Sequence, residues 1–107
     1  MAGGSERAPA QTRDQRLRAL RQANEIRSHR AALKKELASG HVRIEDVLAQ
    51  PPAYAKTAKV QDLLLAVPKV GPARAARFLS HCRIPPSKTV AGMTERQRGE
   101  LIELFRR

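Results

Sequence analysis

The chain has 107 residues, enough for one compact domain with short tails. Its 21 Lys and Arg residues against 10 Asp and Glu residues leave a net charge of +11, an excess that favours binding to a polyanion such as nucleic acid. A single cysteine excludes an internal disulfide and a cysteine-based metal site, and no apolar run reaches the roughly 20 residues of a membrane span, so we expect no metal, no cofactor and no membrane contact.

The N-terminal third is predicted to be a leader followed by a long helix. Residues 1–11 hold Gly, Ala and Pro with little to bury, which is typical of a disordered leader. A helix is predicted over 12–39, because Thr12 and Gln15 have capping-box spacing and Gly40 suits a left-handed C-terminal cap. Its apolar residues change sides along its length, so we expect the C-terminal half to pack on a domain while the N-terminal half projects.

The long helix also carries a stripe of cations. At 100° per residue, five of them fall within a sector of about 100°. They are Arg13, Arg16, Arg27, Arg30 and Lys34. A solvated face is the plain alternative, but a stripe of one sign favours a phosphate-facing surface.

Residues 41–107 are predicted to form a compact helical domain. Two pairs of prolines and the turn Pro68-Lys69-Val70-Gly71-Pro72 separate four segments with helical periodicity, and no period-two alternation indicates a strand. The predicted helices are Ile44–Ala49, Val60–Val67, Pro72 to about His81, and a last helix capped by Thr94. The fold class is therefore all-α, with a long N-terminal helix followed by a helix-two-turn-helix, or helix-hairpin-helix, domain.

The most specific signal is the helical hairpin of residues 64–75. Gly71 is expected to adopt a backbone conformation that a side chain would penalise and to let a ligand approach closely. The start of the following helix offers N–H groups to a phosphate oxygen, beside the charges of Lys69 and Arg74. The expected backbone donors are Val70, Gly71, Ala73 and Arg74. Helical hairpins also serve in protein contacts, so the pattern alone leaves that reading open.

The distribution of charge and aromatic residues favours duplex DNA. Residues 7–35 hold nine cations and two acids, residues 69–98 hold seven cations and one acid, and the segment between them is nearly neutral. One Tyr, two Phe and no Trp leave few platforms on which single-stranded bases could stack. No signal-peptide core stands near the N-terminus, so a cytoplasmic location is expected.

Residues 59–83, the segment 84–88 and the tail 92–98 resemble the integration host factor of the actinobacterial type. The resemblance covers roughly residues 12–105 and is most specific at 60–75. It implies a nucleoid-associated protein with a long helix and a helix-two-turn-helix domain. It also implies sequence-tolerant duplex binding that shapes DNA and assists phage site-specific recombination.

The resemblance also implies two contact segments. The first comprises Lys69, Val70, Gly71 and Arg74 in the hairpin, and the second comprises Ser87, Lys88 and Thr89, ending at Gly92. This chain departs from the family pattern in the second segment. Thr89 and Ala91 stand where the family is rich in Arg, and Thr94 replaces a glycine.

Other functions receive less support from the sequence. The serines lie in no nucleophile motif and the chain has no room for a catalytic domain, so an enzyme is not expected. Two alternatives stay open, an RNA-binding protein with a ribosomal-protein-like hairpin and a basic adaptor for an acidic protein. The expected partner is double-stranded DNA, with a phage recombinase as a second partner, and we expect a monomer that bridges or bends DNA.

Overall fold

The computed structural model describes residues 12–107, and the leader predicted over 1–11 lies outside the described residues. Its helices are α1 (Arg13–Ser39), α2 (Ile44–Ala49), α3 (Val60–Ala66), α4 (Pro72–His81) and α5 (Glu95–Arg106), and a single 3-10 turn (Ala53–Ala55) precedes α3. Within residues 12–107 there is no strand, and an isolated bridge joins Lys59 and Thr89. The prediction of an all-α fold with a long first helix is confirmed. No helix in this described part is both long and apolar enough to cross a membrane.

Capping boxes begin both the first and the last helix. The amide of Gln15 donates to the Thr12 hydroxyl over 3.2 Å, and the Gln15 side chain accepts from the Thr12 amide over 2.9 Å. Thr94 and Gln97 repeat the same pair of hydrogen bonds at α5. Because each box satisfies two amides that a helix start leaves unpaired, these four residues set where the two helices begin. Gly40, with φ +84°, ends α1 in the expected left-handed conformation.

The two halves of α1 have different surroundings. Leu33 and Leu37 are buried against the domain, whereas Leu17 and Leu20 in the first half are 45% and 58% exposed. Ile26, which is 38% exposed, lies between the half of α1 that packs on the domain and the half that does not. The first half of α1 therefore projects from the domain and contributes to a molecule 62 Å long and 28 Å by 23 Å across.

The core lies where α5 crosses α2 and where α3 packs on α4 and α1. It consists almost entirely of aliphatic side chains. The largest fully buried side chains are Leu37, Leu48, Leu63, Leu64, Leu101, Val60, Val90 and Cys82. The core also includes Ala75 and Leu79 of α4, so every helix contributes to it, and burial of apolar surface fixes the relative positions of the helices and of the loops between them.

A Schellman motif ends α4 without a glycine. The amide of Ile84 donates to the Leu79 carbonyl over 2.8 Å, the amide of Arg83 donates to the Ser80 carbonyl over 3.1 Å, and Arg83 has a φ of +57°. Gln97 donates from its side-chain amide to the Arg83 carbonyl over 2.8 Å. The start of α5 is thereby tied to the end of α4.

Candidate nucleic-acid interface

A tight turn separates α3 from α4. Pro68 disfavours helical backbone at the residue before it, so α3 ends at Ala66 and Val67 is extended with ψ 134°. The Val70 amide then donates to the Val67 carbonyl over 3.2 Å, and Lys69 has a φ of +67°. A proline followed by a residue of positive φ is the pattern of a type II turn.

Two expectations for this turn are wrong. Gly71 was expected to need a conformation closed to side chains, but its φ is −86°, and a Cβ built there meets no atom within 4 Å. Lys69, two residues earlier, takes the left-handed conformation, because the turn places its third residue there. Val70 also does not offer the expected donor, since its amide closes the turn and its side chain is buried.

The remaining expected donors are available at the start of α4. Gly71 is the N-cap residue and has no side chain to satisfy the helix start. Within residues 12–107, the amides of Gly71, Ala73 and Arg74 donate to no backbone carbonyl and to no capping side chain. All three residues are exposed. Three N–H groups at the positive end of a helix that donate to no described acceptor can bind an anionic oxygen.

Two cations flank these amides. Lys69 and Arg74 are both exposed, one before and one after the N-cap residue. The Arg74 guanidinium lies 5.6 Å from the centre of the Phe78 ring, one turn further along α4. A cation held over an aromatic ring loses less conformational entropy when it binds a phosphate. We call the segment from Lys69 to Arg74 the hairpin site.

The second predicted segment lies at the opposite end of α3. Thr89 bridges to Lys59, and the amide of Val60, the first residue of α3, donates to the Lys88 carbonyl over 3.0 Å. Thr89 also accepts from the Gly92 amide over 3.2 Å, and a Cβ at Gly92 would lie 2.9 Å from its hydroxyl. The segment is thus held close to Lys59, which is exposed and which the sequence analysis had not placed in a site.

Four of the five stripe cations on α1 point into solvent. Arg13, Arg16, Arg27 and Lys34 are exposed. Arg30 differs from them, because its Nε donates to the Tyr54 carbonyl over 2.9 Å and its Nη2 donates to the Thr57 hydroxyl. Arg30 is half-buried and joins α1 to the 3-10 turn, and stacking of His29 on the Tyr54 ring strengthens the same junction.

An open groove connects the α1 stripe with the second segment. It runs between α1 and the start of α3, and its lining includes the cations Arg27, Lys34 and Lys59 and one acid, Asp62. Because Lys59 bridges to Thr89, the cations of α1 and the residues Ser87–Thr89 form one basic surface, which we call the groove surface. The hairpin site lies beyond the other end of α3, whose seven residues span about 10 Å.

Comparisons with known proteins show the family and the fold of the chain. The family model of the S13-like H2TH domain matches residues 37–105, which span the end of α1 and all later helices. The integration host factor of Mycolicibacterium smegmatis is 36% identical over 99 residues, which cover 91% of this chain and 94% of that protein. The integration host factor of Mycobacterium tuberculosis matches with the same identity and coverage. A solved structure of sIHF bound to an 8 bp palindromic DNA superposes with a TM-score of 0.74 at 28% identity, over 79% of this chain and 98% of that chain.

The domain formed by α2 to α5 is therefore of the helix-two-turn-helix class. The match to the two mycobacterial proteins extends well into α1, beyond the residues that the domain model covers. The chain belongs to the integration host factor family, as the resemblance predicted.

Proposed function

We propose that this protein binds double-stranded DNA through the phosphate backbone, with little dependence on base sequence, and holds the duplex bent. The observation that carries the proposal is the hairpin site, where three unpaired amides stand between two exposed cations. The relative solved as sIHF with an 8 bp DNA, which shares the fold, supports the same target.

The chemistry of the hairpin site suits a phosphate better than a base edge. The three amides lie within one turn at the start of α4 and donate to no acceptor among the described residues, so they suit an anionic oxygen. Lys69 and Arg74 add long-range attraction without base specificity. A phosphate bound in this way fixes the position of the duplex and carries no sequence information.

The groove surface gives the duplex a second line of contact. It lies at the start of α3, whereas the hairpin site lies past its end, so one duplex that reaches both must follow the surface around α3. Cations on both sides neutralise phosphates on the face of the DNA that turns towards the protein. Asymmetric neutralisation and the added contacts offset the elastic cost of bending, which is on the order of 1–6 kcal/mol for a short site.

The same proposal defines the biological setting. The protein acts at the nucleoid as a monomer, and it brings DNA into the shape that a phage recombinase requires. Binding energy alone performs this work, so no catalytic group is needed. Each monomer presents both the hairpin site and the groove surface, which is enough to bend a duplex without a second copy.

A salt titration with a competitor tests the central claim. The full chain is titrated onto a duplex labelled at its two ends, which reports binding by anisotropy and bending by energy transfer. We expect the logarithm of the affinity to fall linearly with the logarithm of salt, with a slope of about −0.9 per phosphate contact, and the ends to approach on binding. A polyanion without base pairs that displaces the duplex at equal charge would contradict a duplex-shaped site.

RNA is the second candidate target. The match of residues 37–105 to an S13-like domain favours an RNA target. These residues include the helical hairpin that the sequence also allows to be ribosomal-protein-like. A duplex RNA of the same length and sequence distinguishes the RNA target from the DNA target, because its deep, narrow major groove spaces the phosphates differently from those of B-DNA. Tighter binding to the RNA duplex than to the DNA duplex at the same salt would favour the RNA target.

A further inference from the structure

The projecting half of α1 presents a face on which three arginines of the stripe stand beside apolar and polar side chains that the phosphate contacts do not use. By the helical period, six residues between positions 13 and 27 share a sector of about 100°. They are Arg13, Arg16, Leu17, Leu20, Asn24 and Arg27. Both acids of this region, Asp14 and Glu25, lie outside the sector. We call these six residues the reading face.

The apolar part of the reading face is exposed. Leu17 is 45% exposed and Leu20 is 58% exposed, and neither packs against another part of the chain that the structure describes. Leu20 stands one turn after Arg16 and two turns before Arg27, so cations border it on both sides along the helix. Two neighbouring exposed leucines form a small apolar patch that is available to a partner.

Charge decides what that partner is. A second copy would bring its own reading face, with three more arginines and no acids, so pairing of two copies would oppose like charges. A polyanion that also offers apolar groups fits the face. The major groove of B-DNA is such a partner, because it is about 12 Å wide, admits an α-helix, and displays the thymine methyl group between two rows of phosphates.

Asn24 completes the match to one base pair. Its carboxamide is exposed and lies one turn beyond Leu20, and Arg27 donates to its oxygen over 3.4 Å, at the long end of hydrogen bonding. An asparagine carboxamide can donate to N7 and accept from N6 of adenine at the same time. On the neighbouring turn, a leucine reaches the methyl group of thymine.

We propose that the projecting half of α1 lies in the DNA major groove, with Leu20 against a thymine methyl group and Asn24 paired with adenine. This proposal rests on the proposed duplex binding and adds a modest preference for A·T pairs to it. Arg13, Arg16 and Arg27 then contact phosphates along the edges of the groove, as the stripe predicts. The hairpin site fixes the protein on the phosphate backbone, and the reading face favours those nearby positions along the duplex that place an A·T pair beneath it.

Modified duplexes test the proposal at the level of single atoms. The full chain is titrated at one salt concentration onto a duplex two helical turns long that contains a central A·T block. In a second duplex uracil replaces thymine, which removes only the methyl group, and in a third 7-deazaadenine replaces adenine, which removes only the N7 acceptor. We expect the parent protein to lose about threefold in affinity for the uracil duplex and about fivefold for the 7-deazaadenine duplex.

Each substitution on the reading face should abolish the loss of affinity for one of the two modified duplexes. Leu20→Ala should bind the thymine and uracil duplexes equally, and Asn24→Ala should bind the adenine and 7-deazaadenine duplexes equally. Leu65→Ala is the matched control, because Leu65 on α3 is also 40% exposed and lies off the reading face. Leu65→Ala should lose affinity for the uracil and the 7-deazaadenine duplexes to the same extent as the parent. Alanine suits an exposed helix, so circular dichroism should show unchanged helical content for all three variants.

The outcomes separate this proposal from the proposed function. If the parent binds all three duplexes equally tightly, the reading face does not enter the major groove, although duplex binding itself stands. If the parent binds no duplex, the proposed function fails together with this proposal. If the free parent sediments as a dimer that Leu20→Ala dissociates, the leucines join two copies and the proposal is wrong.

Discussion

The Nε atom of Arg30 donates to the backbone carbonyl of Tyr54 over 2.9 Å, and this contact fixes the long helix to the domain. The same guanidinium reaches the Thr57 hydroxyl, so one planar fork holds the 3-10 turn at two points. Arg27 lies one turn earlier and is exposed, and the one hydrogen bond of its side chain within residues 12–107 is the long contact with Asn24. Two arginines of one stripe therefore have separate roles, one in joining the helix to the domain and one on the surface.

Arg30→Lys tests the joining role. Lysine keeps the positive charge but cannot donate from two fixed directions, so we expect the free energy of unfolding to fall by about 1–2 kcal/mol. Because α1 then sits less firmly on the domain, the bend angle measured by energy transfer at saturation should also decrease. Arg27→Lys is the control and should change neither quantity. Equal unfolding midpoints in urea for the two variants would contradict the joining role.

The stripe of α1 is tested by a pair of double variants. Arg16→Gln with Arg27→Gln removes two charges from the stripe, while Arg18→Gln with Arg21→Gln removes two charges from other faces of the same helix. We expect the first pair to flatten the salt slope by about 1.8, at roughly 0.9 per lost phosphate contact, and the second to flatten it much less. Equal slopes for the two pairs would show that only net charge matters and that the stripe is a solvated face.

Gly71 distinguishes the charge of the hairpin site from its backbone. Because its φ is −86° and no atom lies within 4 Å of a Cβ built there, Gly71→Ala and Gly71→Glu should both fold with nearly the parent stability. Gly71→Glu places a carboxylate beside the unpaired amides, so it should weaken duplex binding strongly. Gly71→Ala should lose much less. The measurements are duplex affinity at moderate salt and the melting temperature of each variant. If folded Gly71→Glu binds the duplex as tightly as the parent, the phosphate site does not lie at Gly71.

Lys69 combines a positive φ with a charge that we propose contacts DNA, and two variants separate these properties. Lys69→Asn removes the charge but tolerates left-handed backbone, so its stability should match the parent while duplex binding weakens by one screened contact. Lys69→Val places a β-branched side chain at φ +67° and should cost about 1–3 kcal/mol in unfolding free energy. Thermal melts and duplex titrations of both variants give the comparison. Equal stability of the two variants would exclude the left-handed turn.

The thiol of Cys82 provides a pH-dependent probe of the core. Burial raises the pKa of Cys82, and the nearby charge of Glu100 raises it further. The reactive thiolate is therefore scarce in the folded protein below the ordinary thiol pKa, and reaction with a thiol reagent should be slow until urea unfolds the chain. Since the folded pKa is the higher one, the stability contributed by the neutral thiol is present below the unfolded pKa and falls at more alkaline pH. Fast labelling at neutral pH without denaturant would contradict burial.

Much of the fold could be predicted because its signals are local. The Thr12–Gln15 and Thr94–Gln97 pairs act within one helical turn, and Pro68 acts on the residue before it, so the sequence contains both the cause and its effect. The family resemblance was confirmed by the match of 91% of the chain to the two mycobacterial proteins. The contact between Arg30 and Tyr54 joins residues 24 positions apart, and no periodic pattern could indicate it.

The positive φ lies at Lys69 and not at Gly71 for a physical reason. A glycine beside a turn suggests a positive φ, yet the turn begins at Pro68 and places its left-handed residue at Lys69. The register of a turn depends on which amide closes it, and here the Val70 amide does so. Lys59 was missed for a different reason, since only the bridge to Thr89 brings it close to the second segment.

The first half of α1 has a consequence for how the protein meets its target. A helical segment of about 14 residues without a packing partner is only marginally stable in water, and its arginines repel one another. Its amide hydrogens should therefore exchange with solvent far faster than those of the half that contains Leu33 and Leu37. Phosphates that neutralise the arginines would remove the repulsion and slow this exchange. Part of the intrinsic binding energy is then used to order the helix, so the observed affinity should rise under any condition that orders the helix beforehand.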